Sequence, residues 1–422
     1  MKICIIGTGK VGSALAILMA SKGYQIEGTE INDTLREALN RKDPPYEEAD
    51  LKEFWKIYGH NVEVFKEVRS AYTYIILVQT PSQPNGSFSM KYILKACEGI
   101  SNAMPKDGFV NIIISSTINP GDIDFKIKPF FMKRLGTFKD WGLSYCPCLI
   151  AQGSIIKDFK NPPIIIIGST NEESQKRTAK TFLSLVDNVP SVRYLSPINA
   201  EIAKLAINFF ITMKISYLNT LTELCEKFHG GNIDEVTDTL KEDPRIGGKK
   251  LFKGGLGFGG PCFPRDTDAF IIWAENQKGQ AWLSEATKRV NKRQMTRVAQ
   301  MILELSHNGE KIGILGLTYK PGTYLCDESQ AIVIANLLVQ NGKEVHVYDP
   351  SGMTESKRTL DEKAIYHSTG QELVDQCDVI LIAVDWEEFK NINYKKKKVI
   401  DVWRILEKKK NKNYIGLGMK NL

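Results

Sequence analysis

Cys262 is the residue best suited to covalent chemistry. It stands immediately before a helix start expected at Pro264, where free backbone N–H groups and the helix dipole lower a thiol pKa, and Arg265 adds positive charge. Asp266 could orient a water or hold the partner of Cys262, although an acid in a first helical turn is also ordinary capping. A small buried hydrophobe is the usual fate of an intracellular cysteine, and the flanking glycines tip the reading towards a nucleophile. Seven of the 14 residues from Gly247 to Gly260 are glycine, against 33 in all 422. A surface linker would be polar as well, whereas this stretch carries Leu251, Phe252, Leu256 and Phe258. It reads as a loop closing over a ligand.

Three more groups of residues have chemical spacing. Glu201, Lys204 and Asn208 recur at i, i+3 and i+7, a polar stripe on an otherwise apolar helix. Lys204 and Asn208 could together stabilise an alkoxide or oxyanion, and on spacing alone a solvated face fits equally. Gly7-Thr8-Gly9-Lys10-Val11-Gly12 follows an apolar strand and opens a helix, the setting in which GxGxxG receives a dinucleotide diphosphate. Glu30 lies 18 residues beyond Gly12, where a carboxylate accepts from a ribose diol and repels a 2′-phosphate, so NAD is expected in preference to NADP. Arg36 nearby could serve a 2′-phosphate or lie on the helix surface. Thr80-Pro81 and Ser116-Thr117, with Asn119-Pro120-Gly121, follow the third and fourth apolar strands, at the strand ends where open sheets bind ligands. Cys146 and Cys148 form a Cys-x-Cys pair with no second pair and no nearby histidine, so no metal site is expected.

These residues need a scaffold of strands and helices. Short β-branched runs at Ile3–Ile6, Ile26–Thr29, Tyr74–Val78, Val110–Ile114 and Ile164–Ile167 alternate with helix-like stretches and imply a parallel sheet covered on both faces. From Ser196, suited to an N-cap, one amphipathic pattern runs to Phe228; a helix of about 30 residues would extend about 45 Å, which favours a spine between domains and between subunits over a plain connector helix, the alternative reading. A second α/β pattern begins at Lys311, with strands Ile312–Leu315, Val345–Tyr348 and Val379–Val384 and a helix over Gln330–Gln340. It joins a first turn at Gly316 to an acid, Asp349, as the opening joins Gly7 to Glu30, without the full glycine fingerprint. The expected architecture is α/β: two Rossmann-like doubly wound domains (1–195 and 306–422) joined by a central helical domain (196–305) with a long spine helix.

Composition sets outer limits. Length excludes a single small module, and 42% hydrophobic with 25% charged residues excludes wholesale disorder, collagen and coiled coil. No apolar run approaches the roughly 20 residues of a spanning helix, and the N-terminus lacks the features of a signal peptide, so no membrane contact and a cytoplasmic location are expected. Eight cysteines without regular spacing then read as reduced thiols. The formal charge of +7 equals the lysines of two runs, Lys395–Lys398 and Lys408–Lys410, which read as solvated surface and not as a nucleic-acid site.

Taken in order, these motifs resemble the UDP-glucose and GDP-mannose dehydrogenase family over essentially the full chain. The resemblance rests on the dinucleotide motif, Thr80-Pro81, Ser116 to Gly121, Glu201 to Asn208, the Gly257-Phe258-Gly259-Gly260-x-Cys262-Phe263 loop and Ile314 to Pro321. It implies oxidation of a nucleotide sugar's primary alcohol to a carboxylate with two NAD⁺ used in turn, most simply UDP-glucose to UDP-glucuronate for polysaccharide synthesis. Cys262 would carry a thiohemiacetal and then a thioester. Lys204 and Asn208 would stabilise the oxygen charge, with Asp266 and Thr117 ordering the relay water. Cofactor would meet Gly7, Gly9, Lys10, Val11, Gly12, Glu30, Thr80, Thr117 and Gln152. The sugar nucleotide would meet Leu149, Lys204, Asn208, Arg245, Lys253, Phe258, Gly259, Lys320 and Arg404. Members are typically homodimers, or multiples of dimers, through the central helix.

Three positions depart from that pattern. Pro147-Cys148-Leu149-Ile150-Ala151-Gln152-Gly153 has Cys148 and Gln152 where the family places acids, which puts thioester release in doubt. Asp327 stands where the family has a phosphate-directed arginine, a charge reversal. Arg265 replaces a lysine, keeping charge and changing geometry. The resemblance therefore leaves three readings open: a complete dehydrogenase, a diverged relative with impaired release or altered product, and a non-catalytic nucleotide-sugar-binding regulator.

Overall fold

The structure, a computed structural model, describes residues 2–136, 140–246, 253–394, 396–406 and 413–420. The first part of the glycine-rich stretch, 247–252, and four lysines of the basic runs, Lys395 and Lys408–Lys410, lie outside the described residues. The chain divides into two compact units, Met1–Ala206 and Ile207–Leu422.

The first unit is built on eight strands: β1 (Lys2–Ile6), β2 (Gln25–Thr29), β3 (Val62–Phe65), β4 (Thr73–Ile76), β5 (Val110–Ile114), β6 (Trp141–Tyr145), β7 (Ile164–Ser169) and β8 (Ser191–Leu195). Their order is β3-β2-β1-β4-β5-β6-β7-β8, the doubly wound order 3-2-1-4-5-6 with two strands added. Strands β4 and β5 are buried at every residue, as central parallel strands must be. The expectation of a wholly parallel sheet fails at one pair: β7 runs antiparallel to β6, with Tyr145 opposite Gly168. After β6 the chain goes through the Cys148–Gln152 loop and the short Ile155–Lys160 helix and enters β7 from the opposite end, so this one neighbour pair is antiparallel.

The second unit repeats the plan with β9 (Ile312–Leu315), β10 (Val345–Tyr348), β11 (Ile365–Tyr366), β12 (Val379–Ile382), β13 (Lys398–Asp401) and β14 (Tyr414–Gly416). Their order, β11-β10-β9-β12-β13-β14, is again 3-2-1-4-5-6, and each of the five pairings is parallel. Its core gathers Ile314, Ile334, Leu338, Val347 and Leu381.

Between the sheets the chain is helical. The spine helix covers Pro197–Cys225, and the Ser196 carbonyl accepts the Ala200 N–H at 3.1 Å as a helix start requires. It stops three residues short of Phe228. There the Gly231 backbone lies so close to the Cys225 carbonyl that a Cβ would sit 2.0 Å from its oxygen. Helices Ile233–Glu242, Phe263–Asn276 and Trp282–Leu305 follow. No described helix is long and apolar enough to cross a membrane.

Candidate active site

In the first unit, the turn after β1 has the geometry of a diphosphate cradle. Gly7 has φ +90° and lies against the Leu77 carbonyl, which a Cβ would approach to 2.6 Å. A Cβ on Gly12 would be 1.9 Å from the Gly7 carbonyl oxygen, so turn and helix pack backbone to backbone. Gly9 faces open space, with nothing within 4 Å of a Cβ, and it directly precedes the Lys10–Ser21 helix, whose N-terminal amides attract an anion. The Glu30 carboxylate accepts the Asn32 N–H at 3.0 Å beyond the end of β2. Arg36 donates to the Glu30 carbonyl and to Asp33 at 2.6 Å, which fixes it locally. Among the described residues the Thr8 hydroxyl and the Gln152 side-chain carbonyl are buried without a hydrogen-bond partner. This donor and acceptor set fits a dinucleotide.

The strand ends beyond β4 and β5 are tied together, since the Thr80 hydroxyl donates to the Thr117 carbonyl at 2.8 Å. Glu201 of the spine helix, wholly buried, accepts the Gly121 and Ile123 N–H groups at 2.6 and 2.9 Å. Burial pushes its carboxyl up to about 7, against the lowering effect of those two donors. One turn further, Lys204 is 7% exposed, and its ammonium acts electrostatically on Cys148. Desolvation nevertheless holds the Cys148 thiol at about 12. A group so high stays neutral at physiological pH, unlike the carboxylate expected at that place. Leu149 is half-buried beside it.

The second unit presents Cys262 as the N-cap residue of the Phe263–Asn276 helix, one position earlier than expected, and it is the exposed member of the eight cysteines. One turn into that helix Asp266, buried, accepts from the Asn208 side-chain amide at 2.6 Å. The spine helix therefore holds the acid on the helix that Cys262 caps.

Residues 254–260 are clamped. Asn219 accepts the Gly255 N–H at 2.8 Å and Gln294 donates to the Gly255 carbonyl at 2.6 Å. Asn291 accepts the Phe258 N–H at 2.8 Å and returns a bond to the Phe258 carbonyl at 2.9 Å. All three amides are at most 8% exposed. A Cβ on Gly257, which has φ +126°, would lie 2.1 Å from the Asn291 Oδ1. Glycine is thus needed here for close approach. Gly260 donates to the Asp327 carbonyl at 2.9 Å, while the Asp327 side chain is exposed. None of the three clamping amides stood out in the sequence, because single polar residues on long helices carry no local signal.

The remaining expected ligand-binding residues vary in setting. Arg245 is exposed and bonded to Asp243. Lys253 is exposed, and its ammonium is lowered by desolvation and by the Arg404 charge, against Asp234, Asp385 and Asp401. Lys320 lies over the Tyr319 ring at 5.9 Å. Arg404 is engaged by the protein through each nitrogen, with Asp234 at 2.8 and 2.9 Å and the carbonyls of Val402, Leu417 and Gly254 at 2.7 to 3.0 Å. The acid that ends β10 behaves unlike Glu30. Asp349 is buried, and its carboxylate accepts from Leu317 N, Thr318 N, the Thr318 hydroxyl, Ser351 N, Gly352 N and the Trp386 indole, at 2.7 to 3.2 Å. Among the described residues no group of three His, Cys, Asp or Glu side chains is disposed to hold a metal.

Comparison with known proteins adds three matches to one family. The NAD binding domain of the UDP-glucose/GDP-mannose dehydrogenase family matches residues 1–186, its central domain 198–293 and its UDP binding domain 313–408. The UDP-glucose 6-dehydrogenase of Rickettsia prowazekii is 31% identical over 427 residues, covering 96% of each chain. A UDP-glucose dehydrogenase structure from Pyrobaculum islandicum superposes with a TM-score of 0.90 at 28% identity, covering 99% of this chain and 98% of that one. A UDP-D-ManNAc dehydrogenase structure from Pyrococcus horikoshii gives 0.84 at 25%, covering 100% and 99%.

Proposed function

The chain belongs to the UDP-glucose/GDP-mannose dehydrogenase family of NAD-dependent nucleotide-sugar dehydrogenases, and from this premise we propose that it oxidises UDP-glucose to UDP-glucuronate through a covalent intermediate on Cys262. The observation that carries the covalent step is an exposed thiol capping a helix whose Asp266 is held by Asn208 at 2.6 Å. UDP-glucose as substrate is supported by the names of the Rickettsia and Pyrobaculum relatives, while the Pyrococcus protein makes UDP-N-acetylmannosamine the alternative to test.

NAD⁺, when bound, accepts the hydride lost in each of the two oxidations. Gly7, Gly9 and Gly12 would admit its diphosphate and Glu30 its ribose hydroxyls. In the first oxidation the primary alcohol becomes an aldehyde, and Lys204 would stabilise the oxygen as its proton leaves. The Cys262 sulfur then adds to the aldehyde carbon, and the thiol proton passes to the oxygen, giving a thiohemiacetal. Loss of a second hydride and proton yields the thioester. Water, oriented by Asp266 and Thr117, attacks that carbon; the C–S bond breaks, the thiol regains a proton, and the carboxylate is released. Arg245, Lys253, Phe258, Gly259 and Lys320 are the proposed sugar-nucleotide contacts. Arg404 is proposed to order the Gly254 backbone around them, given its own bonds. The product would supply acidic sugar for polysaccharide.

Incubating the purified protein with UDP-glucose and NAD⁺ should release two NADH per sugar. Absence of reduction with UDP-glucose, when UDP-N-acetylmannosamine is oxidised, would replace the substrate assignment.

Cys148 favours a second reading, in which the thioester forms and its hydrolysis is slow. A thiol held at about 12 cannot take the place of an ionised acid in proton transfer. Intact-protein mass spectrometry after substrate addition separates the two: a lasting adduct on Cys262 supports slow release, and many turnovers of free carboxylate product with no adduct on Cys262 refute it.

A further inference from the structure

Glu48 lies in the segment Pro44–Asp50, which contains no motif and looks in sequence like an acidic surface loop. Its side chain is nevertheless 0% exposed, and it takes three groups from two distant parts of the first unit. The Lys10 ammonium is 2.8 Å from Oε1. The Gly153 N–H reaches Oε1 and Oε2 at 2.8 and 2.9 Å, and the Ile155 N–H reaches Oε2 at 3.4 Å. Lys10 is the first residue of the helix that follows Gly9. Gly153, with φ +92°, directly follows Gln152.

A lysine at the start of a helix opposes the helix dipole and needs a counter-charge. A buried carboxylate needs a cation and donors. Lys10 and Glu48 meet both needs at once, and the pair adds no net charge beside a diphosphate site. The remaining bonds of Glu48 go to the loop that carries Gln152, whose buried carbonyl oxygen has no partner among the described residues. We propose that Glu48 is a positioning residue for the dinucleotide: it locks the helix start that receives the diphosphate to the loop that presents Gln152. This rests on reading the turn after β1 as the NAD site.

The test measures NAD⁺ binding to the full-length protein by calorimetry without any sugar, so it stands whatever substrate the enzyme proves to oxidise. Glu48→Gln keeps Lys10 and the side-chain shape and removes the carboxylate that joins the two elements. If Glu48 ties them, this variant binds NAD⁺ about tenfold more weakly than the wild type, the loss typical of a supporting residue behind a ligand contact. Its KM for NAD⁺ rises with it, and its KM for the sugar nucleotide stays within about twofold. If Glu48 merely balances Lys10, freeing that ammonium beside the diphosphate leaves NAD⁺ binding unchanged or tighter, and the proposal is overturned. Equal rises in both KM values overturn it too. Should Glu48→Gln not fold, Lys10→Met/Glu48→Gln compared with Lys10→Met carries the test with the same limits.

Discussion

Cys262 and Cys148 have the same side chain and opposite surroundings. Burial raises the thiols of Cys4, Cys97, Cys146, Cys148, Cys326 and Cys377, so these are inert as nucleophiles near neutrality. Cys262 is exposed at a helix start. Sequence singled out Cys262 through its glycine neighbours. The neutrality of Cys148 was legible from its residue type, but its burial was not, because desolvation is set by residues distant in the chain. The same holds for Glu201, which reads as one member of a polar stripe and is in fact a buried acceptor for two backbone amides. Burial lifts its folded carboxyl to about 7, well above the ordinary carboxylate range. As pH rises from 5 to 7.5 the unfolded chain releases this proton first, so the native state loses stability, by roughly 2–3 kcal/mol from this group. Urea unfolding at the two pH values should show the wild type losing that much more than Glu201→Gln, and equal slopes would exclude the effect.

At the scale of elements, long apolar runs were legible and short edges were not. Strands β1, β4, β5 and β9 are buried apart from Lys2 and largely apolar, and announce themselves. By contrast β3, β8 and β11 lie at sheet edges, where polar residues interrupt the pattern, as in the largely exposed Ser191–Leu195. The glycine loop shows a second limit of sequence. Glycines that allow movement and glycines that allow contact have the same composition, and only the facing residues Asn219, Asn291 and Gln294 distinguish them. Asn291→Ala would leave the Phe258 N–H and carbonyl buried and unpaired, at a cost of about 2 kcal/mol or more. Because Phe258 is four residues from Cys262, kcat should fall at least about tenfold. Urea unfolding and steady-state kinetics measure both, and unchanged kcat would mean that the clamp serves folding alone.

For the whole molecule, one strand order is used twice, and the repeat was visible in outline from Gly7–Glu30 and Gly316–Asp349. Phe210, Tyr217 and Leu224 recur every seven residues on the spine helix and are 56%, 57% and 51% exposed, an apolar row suited to a second copy of the chain. Light scattering should find a dimer for the wild type and a monomer for Tyr217→Asp; a dimer in both would place the contact elsewhere. The two sheets differ in what they ask of their surroundings. Six donors converge on Asp349, including the backbone amides of the turn after β9, so that turn carries a resident anion of its own. It is complete before any dinucleotide arrives, whereas the glycine turn after β1 is open at Gly9. A fall in cofactor supply would therefore withdraw mass-action stabilisation from the first unit, whose turn depends on an arriving anion, and leave the turn after β9 as it is.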